Sequence, residues 1–466
     1  MNNYHFNKDT IAALATAHGS AAIAVLRLSG SDAISIADSV FGSRSMHSKE
    51  LHKQLSNTVH FGVIHDDEII QDEVLLTIFR APNSYTGEDV VEISCHGSLF
   101  IQQQLLNLLV KKGARLANAG EYTLRAFLNG KFDLSQAEAV ADLIASNSAA
   151  SHQVAMQQMR GGFSSKIKTL RENLVNFASL IELELDFSEE DVEFANRGDL
   201  KKLIVTIQNI VVRLVDSFEV GNVLKNGIPV AIVGKPNAGK STLLNTILDD
   251  ERAIVSEIAG TTRDTIEDEI SIDGILFRFI DTAGIRETND TIESLGVSKT
   301  YEKIHNSAIV IYLFDVHEIS RNELVVILDD LSMKLNGAEL VVVGNKIDKE
   351  DLEYTKKEFF GLGEILFISA KEKQQINELK QYLVTLFDSR TINVTETIVT
   401  NTRHVEELRQ TNIALTKILE GLSQNLAGDF LAIDIRTALN HLGNITGEIH
   451  SDELLSNIFS KFCIGK

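Results

Sequence analysis

The spacing of apolar positions changes character along the chain. Up to about residue 129, short runs alternate or cluster as strands do. Ala21-Ala-Ile-Ala-Val-Leu-Arg27-Leu ends at Ser29-Gly30, and Val74-Leu-Leu-Thr-Ile-Phe and Val90-Val-Glu92-Ile-Ser follow the same pattern. Residues 99–111 carry helical spacing instead. From Asp133 the period becomes helical throughout. Asp133 is placed to cap a helix with Gln136 at the reciprocal capping position, and residues 137–146 keep their apolar side chains on one helical face. Helical pattern continues to about residue 220. It gives way to strand-like runs at Val230-Ala-Ile-Val, Phe277-Arg-Phe-Ile, Leu340-Val-Val-Val and Ile365-Leu-Phe-Ile. Residues 242–248 form an amphipathic helix between the first two. Residues 266–272 and 275–280 flank Asp273-Gly274, a favoured type I′ pair, and predict a hairpin. Helical spacing returns at 404–422, 430–442 and 452–462.

This order predicts a multidomain chain, α/β plus all-α. An N-terminal α/β domain spans residues 1–129, and a discontinuous helical domain spans 130–223 and 389–466. A strand–helix domain at 224–388 is inserted into the helical one. A chain of 466 residues suits about three domains, each long enough to bury its own core.

Composition narrows the function. With 44 basic against 65 acidic residues the net charge is −21, which argues against a broad nonspecific nucleic-acid surface. Cys95 and Cys463 are the only cysteines, so a reducing compartment is expected and a disulfide framework is not. No signal-peptide pattern opens the chain, and no apolar run approaches the ~20 residues of a membrane helix. The expected setting is the cytoplasm, with no membrane contact.

The chemistry is concentrated in the inserted domain. Gly234-Lys-Pro-Asn237-Ala238-Gly239-Lys240-Ser241 follows the strand at 230 and precedes the helix continuing from Thr242. A glycine-rich turn leading into a helix N-terminus makes a phosphate cradle, with backbone N–H groups and the positive dipole end facing the anion. Lys240 is expected at the β- and γ-phosphates and Ser241 on Mg²⁺. Asp281-Thr282-Ala283-Gly284 lies at the next strand end, where an acid holds Mg²⁺ through water and a glycine N–H meets the γ-phosphate. Asn345-Lys346-Ile-Asp348 and Ser369-Ala370-Lys371 each follow a strand. They resemble the guanine-reading motif of GTPases and the loop that closes over the base. Ser256-Glu257-Ile258-Ala259-Gly260-Thr261-Thr262 resembles switch I, with Thr262 as second Mg²⁺ ligand.

Ile285 stands where Ras-like enzymes carry the glutamine that orients water. This resembles the potassium-activated GTPases, in which a P-loop asparagine helps bind K⁺. Asn237 matches that asparagine, with Ser256, Ile258 and Thr261 at the positions of the supporting loop; as residues alone, Asn237 also suits a plain turn.

The flanks carry a wider resemblance. Pro82-Asn-Ser-Tyr-Thr-Gly-Glu-Asp89, Cys95-His96-Gly97, the run from Gly120 through Lys131 to Ile144, Ile445-Thr-Gly-Glu, and Phe462-Cys463-Ile-Gly-Lys466 are similar, in order, to tRNA modification GTPases of the MnmE (TrmE) family. Ser98 departs from the second glycine more usual there. The resemblance implies an N-terminal domain that forms a homodimer and binds a formyl- or methylene-tetrahydrofolate through Arg27, Glu92, Lys131 and Lys466. It implies Glu293 as the group orienting water, with Arg286 supporting the switch. Cys463 is implied near the folate, either as a reactive thiol or as a small apolar residue, and Cys95 is read as core. The implied activity is a K⁺-activated GTP hydrolase. With an FAD-dependent MnmG partner, in a heterotetramer, it adds an aminomethyl-type or carboxymethylaminomethyl group to carbon 5 of wobble uridine in tRNA. The alternative is a regulatory GTPase of ribosome assembly. It would need a basic RNA-binding module, which the acidic balance does not supply.

Overall fold

The computed structural model describes residues 9–43, 50–186, 196–252, 268–280, 304–305, 307–335, 337–349, 352–388, 397–426 and 428–465. Its contacts divide into two units: residues 1–144, 156–213 and 406–466 form one, and residues 145–155 and 214–405 the other.

The first unit is built on a seven-stranded sheet of order β3-β4-β5-β6-β2-β1-β7. The strands are β1 (Ile11–Leu14), β2 (Ile23–Ser29), β3 (Phe41–Gly42), β4 (Thr58–Asp66), β5 (Ile69–Phe79), β6 (Val90–His96) and β7 (Arg115–Leu116). Every pairing is antiparallel except β1 with β7. The alternation expected of a half-covered sheet is clear in β2 and β6. Ala24, Leu26, Leu28, Val91, Ile93 and Cys95 are buried in the core, whereas Arg27, Glu92 and Ser94 are half-exposed. The helices Ala33–Asp38 and Leu99–Lys111 contribute Ile34, Ile36, Leu105 and Leu108 to that core. The expected helix at 99–111 is therefore present with those bounds.

Asp133 caps the helix Leu134–Ala145 as expected. Its carboxylate accepts from Gln136 N at 3.0 Å, and the Gln136 side chain accepts from Asp133 N at 3.0 Å. The long helices Gly162–Asp186 and Gly428–Thr446 pack on one another in the same unit.

The second unit is a six-stranded sheet of order β13-β12-β11-β8-β10-β9. Its strands are β8 (Ile228–Val233), β9 (Asp268–Ile272), β10 (Ile275–Phe279), β11 (Ile309–Asp315), β12 (Glu339–Asn345) and β13 (Ile365–Ile368). All neighbours run parallel except β9 with β10. All seven residues of β11 are buried, as expected of a central parallel strand covered on both faces. One face packs on the helices Lys240–Arg252 and Ile376–Asp388, the other on Arg321–Ser332. The β9–β10 turn is the expected Asp273-Gly274 pair, with φ of 47° and 82°, both in the left-handed region that a type I′ turn requires.

Candidate functional site

Three strand ends of the second unit carry the nucleotide motifs, and side chains lock their loops together. The P-loop joins β8 to the helix Lys240–Arg252. Gly239 has φ of +98°, and a Cβ there would lie 2.3 Å from Asn345 Nδ2, so only glycine fits. Asn237 is also left-handed, at φ 63°, a conformation asparagine tolerates better than most side chains. Lys240 Nζ donates to the Gly234 and Lys235 carbonyls, at 2.8 Å each. The ammonium therefore sits over the loop whose N–H groups would face a phosphate.

Asn345, at the end of β12, is buried and bridges two loops. Its Nδ2 donates to Ala238 O at 2.8 Å, and its Oδ1 accepts from Ala370 N at 3.0 Å. Thr246, nearly two turns into the P-loop helix, donates to Ala370 O at 2.8 Å. The Ser369-Ala370 loop is closed by paired backbone bonds between Ser369 and Gln374. Ser369 Oγ donates to Asp348 Oδ1 at 2.6 Å, and this bond holds the Asp348 carboxyl below its ordinary range. Asp348 thus stays an ionised acceptor, the form needed to grip a ring N–H and an amine together.

Two contributors carry no motif of their own. Asp315 ends β11 and pairs with Lys346 Nζ at 2.6 Å. Its burial opposes ionisation, yet the Lys346 ammonium and the His317 N–H outweigh that and hold it below the usual carboxylate range. The sequence signal was an acid closing an otherwise apolar strand. Thr246 gave no signal, because a threonine inside a helix is ordinary.

Ser256, Glu257, Ile258, Ala259, Gly260, Thr261, Thr262, Asp281, Thr282, Ala283, Gly284, Arg286 and Glu293 lie outside the described residues, as does Lys466.

In the first unit, Arg27 and Glu92 are direct cross-strand partners. Arg27 Nε and Nη2 reach Glu92 Oε1 at 2.9 and 2.8 Å, with both side chains partly exposed. The guanidinium carbon lies 5.5 Å from the Tyr85 ring centre and 5.6 Å from that of Tyr122. Tyr122 is fully buried, which pushes its phenol up, and it donates to the Arg27 carbonyl at 2.6 Å. Arg27 Nη1 donates to Gly465 O at 3.4 Å, so the C-terminal tail reaches this cluster. Cys463 is exposed, and its carbonyl accepts from Gly120 N. Cys95 is core as expected, and burial pushes its thiol up to about 11. Lys131 makes a different contact, donating to Pro82 O at 2.9 Å. His96 is oriented by the buried Asp72, whose Oδ1 lies 2.6 Å from His96 Nδ1, a pairing the sequence did not reveal.

Comparison with known proteins agrees with this anatomy along the whole chain. A family model for the GTP-binding protein TrmE N-terminus matches residues 10–131, and one for the MnmE helical domain matches residues 134–463. The tRNA modification GTPase MnmE of Flavobacterium psychrophilum is 57% identical over 468 residues, covering 99% of this chain and 100% of the relative. Its namesake in Cytophaga hutchinsonii is 58% identical over 459 residues, covering 98% of each chain. That of Bacteroides fragilis is 52% identical over 467 residues, covering 99% of this chain and 100% of the relative. With the two family models running almost end to end and relatives more than half identical over their full length, the chain belongs to the MnmE (TrmE) family of tRNA modification GTPases.

Proposed function

We propose that this chain hydrolyses GTP and, with an FAD-dependent MnmG partner, modifies carbon 5 of wobble uridine in tRNA, adding an aminomethyl-type or carboxymethylaminomethyl group. The carbon comes from a formyl- or methylene-tetrahydrofolate. The observation that carries the reading is the interlocked cradle, in which Asn345 bonds the P-loop and the Ser369-Ala370 loop at once beside an ionised Asp348. The inserted nucleotide domain is assigned to residues 224–388, between helical segments at 130–223 and 389–466, with residues 1–129 as the folate and homodimer domain. The protein acts in the cytoplasm.

Within the GTP site, Lys240 takes the β- and γ-phosphates and Asp348 takes the base. Ser241 and Thr262 are the Mg²⁺ ligands. Ser241 is the second residue of the P-loop helix, and its hydroxyl is a hard oxygen donor that suits this ion. Asn237, Ser256, Ile258 and Thr261 are assigned to K⁺, and the left-handed Asn237 likewise offers a side-chain oxygen. When bound, the cations neutralise charge on the phosphates. Glu293 orients the attacking water and Arg286 steadies the switch.

Tetrahydrofolate carries a glutamate tail and a pterin amide. A half-exposed carboxylate and guanidinium side by side, as Glu92 and Arg27 are, suit the adjacent N–H donors and carbonyl acceptor of the pterin amide. Lys131 and Lys466 complete the set, with Cys463 beside them.

Mass spectrometry of tRNA nucleosides from the host with and without the gene tests this reading. Loss of a 5-aminomethyl-type wobble uridine, restored by the intact gene, is expected. An unchanged nucleoside profile overturns it in favour of a regulatory GTPase of ribosome assembly.

A further inference from the structure

Residues 463–465 are held against the first unit largely through backbone contacts, beginning at the segment before the helix Glu121–Leu128. Ile464 bridges Ala119, and Gly120 N donates to Cys463 O at 3.3 Å. Gly465 then turns with φ of +95°, and a Cβ on it would lie 2.2 Å from the Leu14 carbonyl oxygen at the end of β1. That turn presents the Gly465 carbonyl to Arg27 Nη1 at 3.4 Å. Arg27 is thereby fixed from three sides: Glu92 takes Nε and Nη2, Gly465 takes Nη1, and the Tyr85 and Tyr122 rings flank the plane.

We propose that Gly465 is a positioning residue for the folate site, an inference that rests on the folate reading above. Its missing side chain lets the tail close on β1, and its carbonyl holds the Arg27 guanidinium in the orientation that meets the ligand. The tail and the ligand site are therefore coupled through one arginine, and the seating of the tail also sets how freely Cys463 is reached by reagents. Two features of glycine are used at once. The left-handed φ disfavours any L side chain, and the contact with Leu14 excludes even a methyl group. Asparagine tolerates the first and not the second.

The test compares the full-length protein with its Gly465→Ala and Gly465→Asn variants. The readouts are 5-formyltetrahydrofolate affinity by calorimetry and the alkylation rate of Cys463 by iodoacetamide. GTP turnover reports the second unit, and a thermal melt of the full chain controls for folding of the first, to which Gly465 belongs. Losing a hydrogen bond to a charged group weakens binding about tenfold or more, and both variants are expected to show this together with faster alkylation and unchanged GTP turnover. Wild-type affinity in either variant overturns the proposal. Faster alkylation without loss of affinity also overturns it, because the tail would then be seated without serving the ligand. If the wild-type protein itself does not bind 5-formyltetrahydrofolate, the folate reading fails and the proposal falls with it. The alkylation rates then still report whether Gly465 seats the tail.

Discussion

Asn345 and Ala238 are joined by a buried hydrogen bond of 2.8 Å, from the side-chain amide at the end of β12 to a carbonyl of the P-loop. The same side chain accepts from Ala370 N, so one amide sets the spacing between the phosphate loop and the base loop. Asn345→Ala leaves a buried carbonyl and a buried N–H without this partner, at a cost of about 1–3 kcal/mol each. The expected outcome is a tenfold or greater loss of GDP affinity in a protein that still melts cooperatively. Isothermal titration beside a thermal melt checks it, and wild-type affinity would show that the bridge is incidental.

The proposed guanine reading assigns base choice to Asp348. A carboxylate accepts two donors from guanine, whereas an amide in its place offers a donor of its own and suits xanthine. Asp348→Asn is expected to weaken GTP and strengthen xanthosine triphosphate, read by competition against a fluorescent nucleotide. An unchanged preference would refute the guanine assignment. Because Ser369 holds the carboxyl below 3.8, base recognition should stay level as pH falls from 8 to about 5.

The cation assignment makes a sharp kinetic claim. An arginine finger is worth ~10³–10⁵ in rate, and K⁺ at Asn237 is assigned that role here. GTP turnover is expected to rise at least several-fold when Na⁺ is replaced by K⁺, and Asn237→Ala should remove the difference. Equal rates of the wild-type protein in both salts would sink the Asn237 assignment.

Much of this anatomy was legible because local signals coincide with tertiary demands. Asp273-Gly274 specifies a type I′ turn by its own preferences, and the hairpin forms around it. Asp133 and Gln136 cap a helix within four residues of chain. What escaped was defined from a distance. The strand β1 is the Ala-rich Ile-Ala-Ala-Leu, and its identity comes from Leu26 to Ser29 and from Arg115-Leu116 pairing on either side. β5 was legible only over its second half, since Ile69 to Glu73 mix apolar and polar residues without clean alternation and take their order from β4. Asp315 and Thr246 act through partners that lie 31 and 124 residues away in sequence, and no local pattern marks such a pair.

The first unit carries an ionic network that sets its acid tolerance. Arg125, almost wholly buried, donates to Asp9, Glu88 and Glu121, and Arg115 donates to Asp9 and Glu121. For Asp9 and Glu121, burial favours the neutral acid, but the arginine bonds outweigh it and hold both carboxyls below the ordinary carboxylate range. A carboxyl depressed on folding contributes stability that is complete above its unfolded pKa and lost as pH falls through the folded one. Stability of this unit should therefore be level from neutral pH to about 5 and fall below about 4. Arg125→Met removes the shared cation and leaves Glu121 buried with less compensation. The cost should be about 3 kcal/mol, near the lower end for a broken buried pair because Asp9 and Glu88 are partly exposed. The loss should also move the acid transition to higher pH, since the carboxyls no longer gain as much from ionising. Hydrogen exchange of amides in β1 and the helix Glu121–Leu128, followed from pH 7 to 4 in the full chain, reads both effects. A wild-type profile in the variant would mean that the network contributes little net stability.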